Sequence, residues 1–276
     1  MSKICIDAGH YGRYNSGVVK GYYEAVQMWR LQELLAAELK KRGVTVVATR
    51  QSQAADLALI SRGKKAKGCD LFLSLHSNAA STESVDYPVA YVLRPNARTS
   101  IDEKAAEIGL NLAKVVQGVM GTTQGARTAT RASGNDRDGN GIKDDEYYGV
   151  LEGARRVGVP AVILEHSFHT NRKACAWLMV DANLQDLAKA EADAIAAWLG
   201  AKAPAQTGSS SLPYQVRVSI TDLNIRSGPG TGYAKKGYIK PGVYTITAEA
   251  TGKGASKWLK LKSGAGYISA DFVKRV

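Results

Sequence analysis

The chain has 276 residues, 45% hydrophobic and 22% charged, with a net charge of +12. These proportions are ordinary for a globular protein, exclude disorder or collagen-like repetition along the whole length, and at roughly 150 residues per domain predict about two domains. No run approaches the roughly 18 uninterrupted apolar residues of a transmembrane helix, so no membrane insertion is expected.

Strand and helix signals alternate over the first two thirds. Lys3–Asp7 reads as a short apolar strand. Glu24–Arg42 reads as a helix: Met28, Leu31, Leu35 and Leu39 recur at helical spacing, and Leu34 widens the stripe. Lys40, Lys41 and Arg42 fill its last turn, and Gly43 supplies the stop. A β-branched strand is predicted over 44–49, a helix over 57–67 and an apolar strand over 70–75. A further strand over 88–93 and a long helix over 102–120 follow. The order closes with a buried strand over 160–165 and a helix over 183–199. Alternation of this kind predicts an α/β fold, a mostly parallel twisted sheet flanked by helices. Three cysteines, Cys5, Cys69 and Cys175, lie far apart without CxxC spacing and are expected to be buried thiols rather than a disulfide framework.

Residues 200–213, GAKAPAQTGSSSLP, read as a flexible linker. It separates a domain over 1–199 from one over 214–276. The latter has short strands predicted at 215–219, 243–248, 258–261 and 265–268, with Gly-rich turns that include SGPGTGY (227–233). This predicts a small β-barrel. Residues 214–276 carry eleven Lys and Arg against Asp222, Glu249 and Asp271, a net charge of +8 that leaves +4 for the rest. So basic a unit favours polyanions: nucleic acid, anionic lipid or anionic cell-wall polymer.

The chain has four histidines, His10, His76, His166 and His169, each expected just past a buried strand. In an open parallel sheet, ligands bind beyond the carboxyl ends of the strands. Glu24, opening the helix after the first strand, reaches the same edge. Two imidazoles and a carboxylate make a catalytic zinc set with a position left for water, so His10, Glu24 and His76 are the candidate ligands of Zn2+. Zinc acidifies bound water and polarises a carbonyl. A second carboxylate must then carry the proton, and Glu165, closing the apolar VILE run, is the candidate general base. Each residue alone also has a plain structural role: Glu24 at a helix start, His76 in the core, Glu165 in an ion pair.

DAGH (7–10), Glu24, TRQSQAADLALISR (49–62), DLFLSLHSNA (70–79) and VPAVILEHSFHTN (159–171) occur in that order. As a set they resemble the zinc-dependent N-acetylmuramoyl-L-alanine amidases of bacteria and their phages, over about residues 1–200. The resemblance implies zinc on His10, Glu24 and His76, and catalysis by Glu165. It also implies peptidoglycan as substrate, cut at the amide between the muramic acid lactyl group and L-alanine. The run after Glu165 departs from the small or apolar residues more usual there. His166 and His169, with Asn78 of the SLHSNA motif, are therefore candidates for substrate contact or for supporting the metal site.

DLNIRSGPGTGY (222–233), WLKL (258–261) and GYISADFV (266–273) resemble a bacterial SH3-like domain, which implies docking on cell-wall peptide or anionic polymer. Tyr214, Tyr233, Tyr238 and Trp258 either line a groove there or fill the barrel. DRDGNGIKDDEY (136–147) sets Asp136, Asp138, Asn140 and Asp144 at ligand positions of a calcium (Ca2+) loop, with Tyr147 where the closing Glu belongs. A solvated acidic turn is the alternative.

A zinc peptidase cutting within the stem peptide would use the same chemistry. A non-catalytic wall-binding protein is disfavoured by the intact set of His10, Glu24, His76 and Glu165. Nucleic-acid binding has the charge but no recognition motif, so no nucleic-acid partner is expected. The opening MSKICIDAGH lacks the apolar core of a secretory signal. That fits a phage or prophage endolysin made in the cytoplasm and acting on the wall, or a processed secreted autolysin. The sequence leaves the oligomeric state open.

Overall fold

The computed structural model describes residues 2–94, 100–135, 145–201 and 212–276. The chain forms two compact units, Met1–Pro204 and Ala205–Val276. In the first, six strands, β1 (Lys3–Ala8), β2 (Thr45–Ala48), β3 (Leu71–Asn78), β4 (Val89–Val92), β5 (Arg127–Ala129) and β6 (Ala161–Phe168), alternate with six helices. The helices are α1 (Glu24–Lys41), α2 (Leu59–Lys64), α3 (Ser100–Met120), α4 (Gly149–Arg155), α5 (Arg172–Leu178) and α6 (Asp181–Trp198).

Apolar runs without alternation make strands buried on both faces, and β6 is buried at all eight positions. The sheet order is β2-β1-β3-β6-β4-β5. Every pairing is parallel except β4 against β6. The stripe on α1 buries Met28, Leu31, Leu35 and Leu39. It packs on β1 and β3 and against α6. Helix α3 covers β4 and β6.

Helices α2 and α4 meet through glycines. A Cβ on Gly63 would lie 2.1 Å from the Val150 carbonyl oxygen, and one on Gly153 2.3 Å from that of Ile60, so larger residues would force the helices apart. This contact brings Arg62 to the sheet. Its guanidinium donates twice to buried Asp7, each bond 2.8 Å. Ser74 and Thr49 also donate to Asp7. The aspartate of the DAGH motif, on β1, thus fastens β3, α2 and the residue that follows β2.

The sequence reading differs from the structure in a few places. β6 and β3 each run three residues further than expected, so His76 and His166 lie inside strands rather than after them. The short elements β5, α4 and α5 carry no sequence signal, because three to seven residues hold too little periodicity. The three cysteines are free and buried. Among the described residues no helix is long and apolar enough to cross a membrane. The candidate calcium ligands Asp136, Asp138, Asn140 and Asp144 lie outside the described residues.

The second unit is an antiparallel sheet of β7 (Tyr214–Val218), β8 (Asn224–Arg226), β9 (Lys235–Tyr238), β10 (Gly242–Ala250), β11 (Trp258–Leu261), β12 (Tyr267–Ser269) and β13 (Val273–Arg275). Their order is β13-β7-β10-β11-β12-β8-β9. It has its own apolar centre, built on Val216, Val218, Ile246, Leu259, Leu261 and Ile268. Trp258 is buried and donates to the Gly252 carbonyl, so it serves the interior. Tyr233 and Tyr238 are exposed.

Candidate metal centre

β1 ends at Ala8, and Gly9 follows against His76. A Cβ on Gly9 would lie 2.4 Å from the imidazole Cε1, so only glycine admits the ring there. The next residue, His10, turns the chain with a left-handed φ of 56°. Glu24 is the first residue of α1, where the helix dipole favours a carboxylate. His76 comes from β3, paired in register with Glu165 of β6, which sets both side chains on one face of the sheet.

Three separate segments therefore converge. One ligand atom from each of His10, Glu24 and His76 lies within 4.8 Å of the others. Glu24 Oε1 is 2.9 Å from His76 Nδ1, and Glu24 Oε2 is 3.4 Å from His10 Nε2. Glu24 is buried, while His10 keeps 30% of its side chain exposed, so the cluster opens to solvent on the imidazole side. Burial alone would push the Glu24 carboxyl up; hydrogen bonds and charge from His10 and His76 outweigh it and hold Glu24 below the usual carboxylate range.

The supporting residues carried no sequence signal. Asn15 Nδ2 donates to Glu24 Oε2 at 2.7 Å and faces His10 Nε2 at 3.1 Å. The Ser77 backbone N–H donates to Glu24 Oε1, and the Ser77 hydroxyl bonds Tyr22 at 2.6 Å.

Glu165 is buried, and its Oε2 has no hydrogen-bond partner. Burial first, and then the negative charge of Glu24, push its carboxyl well above the ordinary value. A partnerless carboxylate beside a second one is costly unless a cation or a proton comes between them. Two imidazoles, a carboxylate and this orphaned oxygen fit a divalent metal, with zinc's usual donor types.

His166, His169 and Asn78 stand around this cluster rather than in it. His166 is fully buried; Nδ1 donates to the His76 carbonyl at 2.9 Å and Nε2 bonds Glu191 at 2.7 Å. His169 Nδ1 donates to the Ser77 carbonyl at 2.8 Å and sits 3.9 Å from Glu24 Oε2. The Asn78 side chain accepts from its neighbour Ala79, and its carbonyl accepts from the His169 N–H.

A parallel-rich α/β sheet thus gathers this group of imidazoles and carboxylates at its carboxyl edge, the arrangement of a candidate hydrolase site. Residues 4–197 match the N-acetylmuramoyl-L-alanine amidase family, and the chain belongs to it. It is a peptidoglycan-hydrolysing amidase. An endolysin of Bacillus phage SPP1 is 27% identical over 288 aligned residues, covering 98% of this chain and 96% of the relative. Among solved structures, the catalytic domain of CwlV, an N-acetylmuramoyl-L-alanine amidase from Paenibacillus polymyxa var. colistinus, is 25% identical. The match has a TM-score of 0.57 and covers 73% of this chain and 100% of that one. The amidase AmiC2 of Nostoc punctiforme, 22% identical with a TM-score of 0.53 over 72% of this chain and 97% of its own, shares the fold.

Proposed function

We propose that the protein is a zinc-dependent endolysin that cuts the amide between the lactyl group of N-acetylmuramic acid and the L-alanine of the stem peptide. The observation carrying this is the convergence of His10, Glu24 and His76 within 4.8 Å beside the partnerless Glu165. The phage relative, similar along nearly its whole length, supports the lytic role.

His10 and His76 would hold zinc through ring nitrogens and Glu24 through a carboxylate oxygen. Bound there, zinc supplies a Lewis acid that polarises the scissile carbonyl and acidifies water. Asn15 and the Ser77 N–H keep the Glu24 carboxylate turned towards the site. Glu165 takes a proton from the attacking water at Oε2, the oxygen with no other partner. It returns that proton to the alanine nitrogen as the carbon–nitrogen bond breaks; the water's oxygen and second proton stay on the lactyl carbon as a carboxylic acid, which ionises in water, and the amine leaves free.

Residues 214–276 form an SH3-like unit that holds the enzyme on anionic wall polymer through its +8 charge and the exposed Tyr233 and Tyr238. Lys235 lies over the Tyr238 ring at 3.6 Å, which fixes a basic and an aromatic group side by side. Mass spectrometry of digested peptidoglycan tests the reading. New L-alanine amino termini are expected; new termini within the stem, with L-alanine still joined to muramic acid, would instead make the enzyme a peptidase.

A further inference from the structure

Tyr11 and Tyr14, on the loop between β1 and α1, are 41% and 52% exposed. The Tyr14 ring stacks on that of His10, with centroids 5.0 Å apart and planes 15° from parallel. Tyr11 continues the series, 6.3 Å from Tyr14 at 23°. These spacings exceed the roughly 3.5–4.0 Å of direct carbon contact, so the rings are offset and part of each face stays open. Three near-parallel rings thus form a series that starts at a candidate metal ligand and includes two exposed tyrosines.

Hydrogen bonds tie down the backbone of this loop. His10, Gly12 and Asn15 all adopt left-handed φ values, 56°, 56° and 52°. The Gly12 N–H donates to the Gln53 carbonyl at 3.1 Å, and the Gln53 side-chain amide donates to the Gly12 carbonyl. The Glu24 N–H donates to the Asn15 carbonyl at 2.8 Å. Strain at two non-glycine residues and aromatic surface left in water both oppose folding. A loop fixed in this way presents its rings without ordering them anew when a ligand arrives, which favours binding.

We propose that Tyr11 and Tyr14 form a saccharide subsite that stacks against the pyranose ring of an N-acetylated hexosamine on the acyl side of the scissile amide. This rests on the amidase reading, which puts a sugar one lactyl arm from the carbonyl that is attacked. A pyranose offers a C–H face to an aromatic ring while its hydroxyls stay in water, which matches flat, uncharged and exposed rings. The peptide side, flexible and charged, matches them poorly.

The test compares N-acetylmuramoyl-L-alanyl peptide with lactoyl-L-alanyl peptide, which lacks the sugar. It uses the zinc-loaded full chain and its Tyr11→Ala, Tyr14→Ala and Tyr14→Phe variants. Tyr11→Ala is expected to raise KM about tenfold on the sugar substrate and to leave kcat/KM on the lactoyl peptide unchanged. Tyr14→Phe should behave as the wild type, since the ring and not the hydroxyl stacks. In parallel, an N-acetylglucosaminyl–N-acetylmuramic acid disaccharide without peptide is titrated into metal-free protein by NMR. It should perturb the wild type and lose at least tenfold in affinity in Tyr11→Ala and Tyr14→Ala. Equal losses on both substrates, no loss on either, or unchanged disaccharide binding would overturn the subsite. Failure of the wild type to cut either substrate would instead count against the amidase reading, and the disaccharide titration would still decide the subsite.

Discussion

Glu165 differs from Glu24 by what it lacks: its Oε2 accepts no hydrogen bond, although the residue is buried. Glu165→Gln preserves shape and removes the proton acceptor. Turnover should fall by about 10²–10⁴-fold, the usual worth of positioned acid–base catalysis, while bound zinc stays at the wild-type level. Steady-state kcat and metal analysis on the same preparation check both halves. At this scale much of the site was legible. Imidazoles are scarce in this chain, and each one marked a strand near the sheet's carboxyl edge. Asn15, Tyr22 and Ser77 were not legible, since they acquire their roles only when folding sets the Asn15 amide and the Ser77 N–H against Glu24 and the Tyr22 hydroxyl against that of Ser77.

β6 carries both Glu165 and a bulge. Its ladder with β3 runs His76 to Glu165 and resumes at Asn78 to Phe168, leaving an extra residue on β6. Ser167 sits there at φ 60° and donates to Asp86 at 2.7 Å. The His166 side chain, backed by Glu191 of α6, bonds the His76 carbonyl at the same place. A bulge beside an active site re-aims side chains, and here buried polar pairs pin it. Glu191→Leu strands one half of a buried pair and should destabilise the fold by on the order of 3 kcal/mol. The check is a lower denaturation midpoint with an unchanged m-value. The strand was legible from its apolar run, but its continuation through His-Ser-Phe was not, because polar residues that end a strand in isolation are satisfied here by α6 and Asp86.

The two units have separate apolar centres and unequal charge. Removing residues 205–276 should leave hydrolysis of small soluble muropeptides within about twofold, because each unit has its own core. Co-sedimentation with purified walls should fall sharply. For the intact chain, sedimentation should weaken as salt rises, since exposed charges beyond about 10 Å are screened at 0.1 M. Undiminished sedimentation of the shortened chain would contradict a wall-binding role for the basic unit. The change of pattern after the linker composition at 200–213 made two units legible in the sequence. The strand order of the second was not, because its strands are mostly three to five residues long, and the pairings of β13 with β7, β7 with β10 and β12 with β8 join strands that are not consecutive in sequence.

All three scales meet in the proposed metal site of His10, Glu24 and His76. Diffraction from crystals of the zinc-loaded protein at the zinc absorption edge reads that site directly. One strong anomalous peak is expected about 2.0–2.2 Å from a nitrogen of His10, a nitrogen of His76 and an oxygen of Glu24. An active preparation whose crystals give no peak among those three side chains, or give one elsewhere, would contradict it.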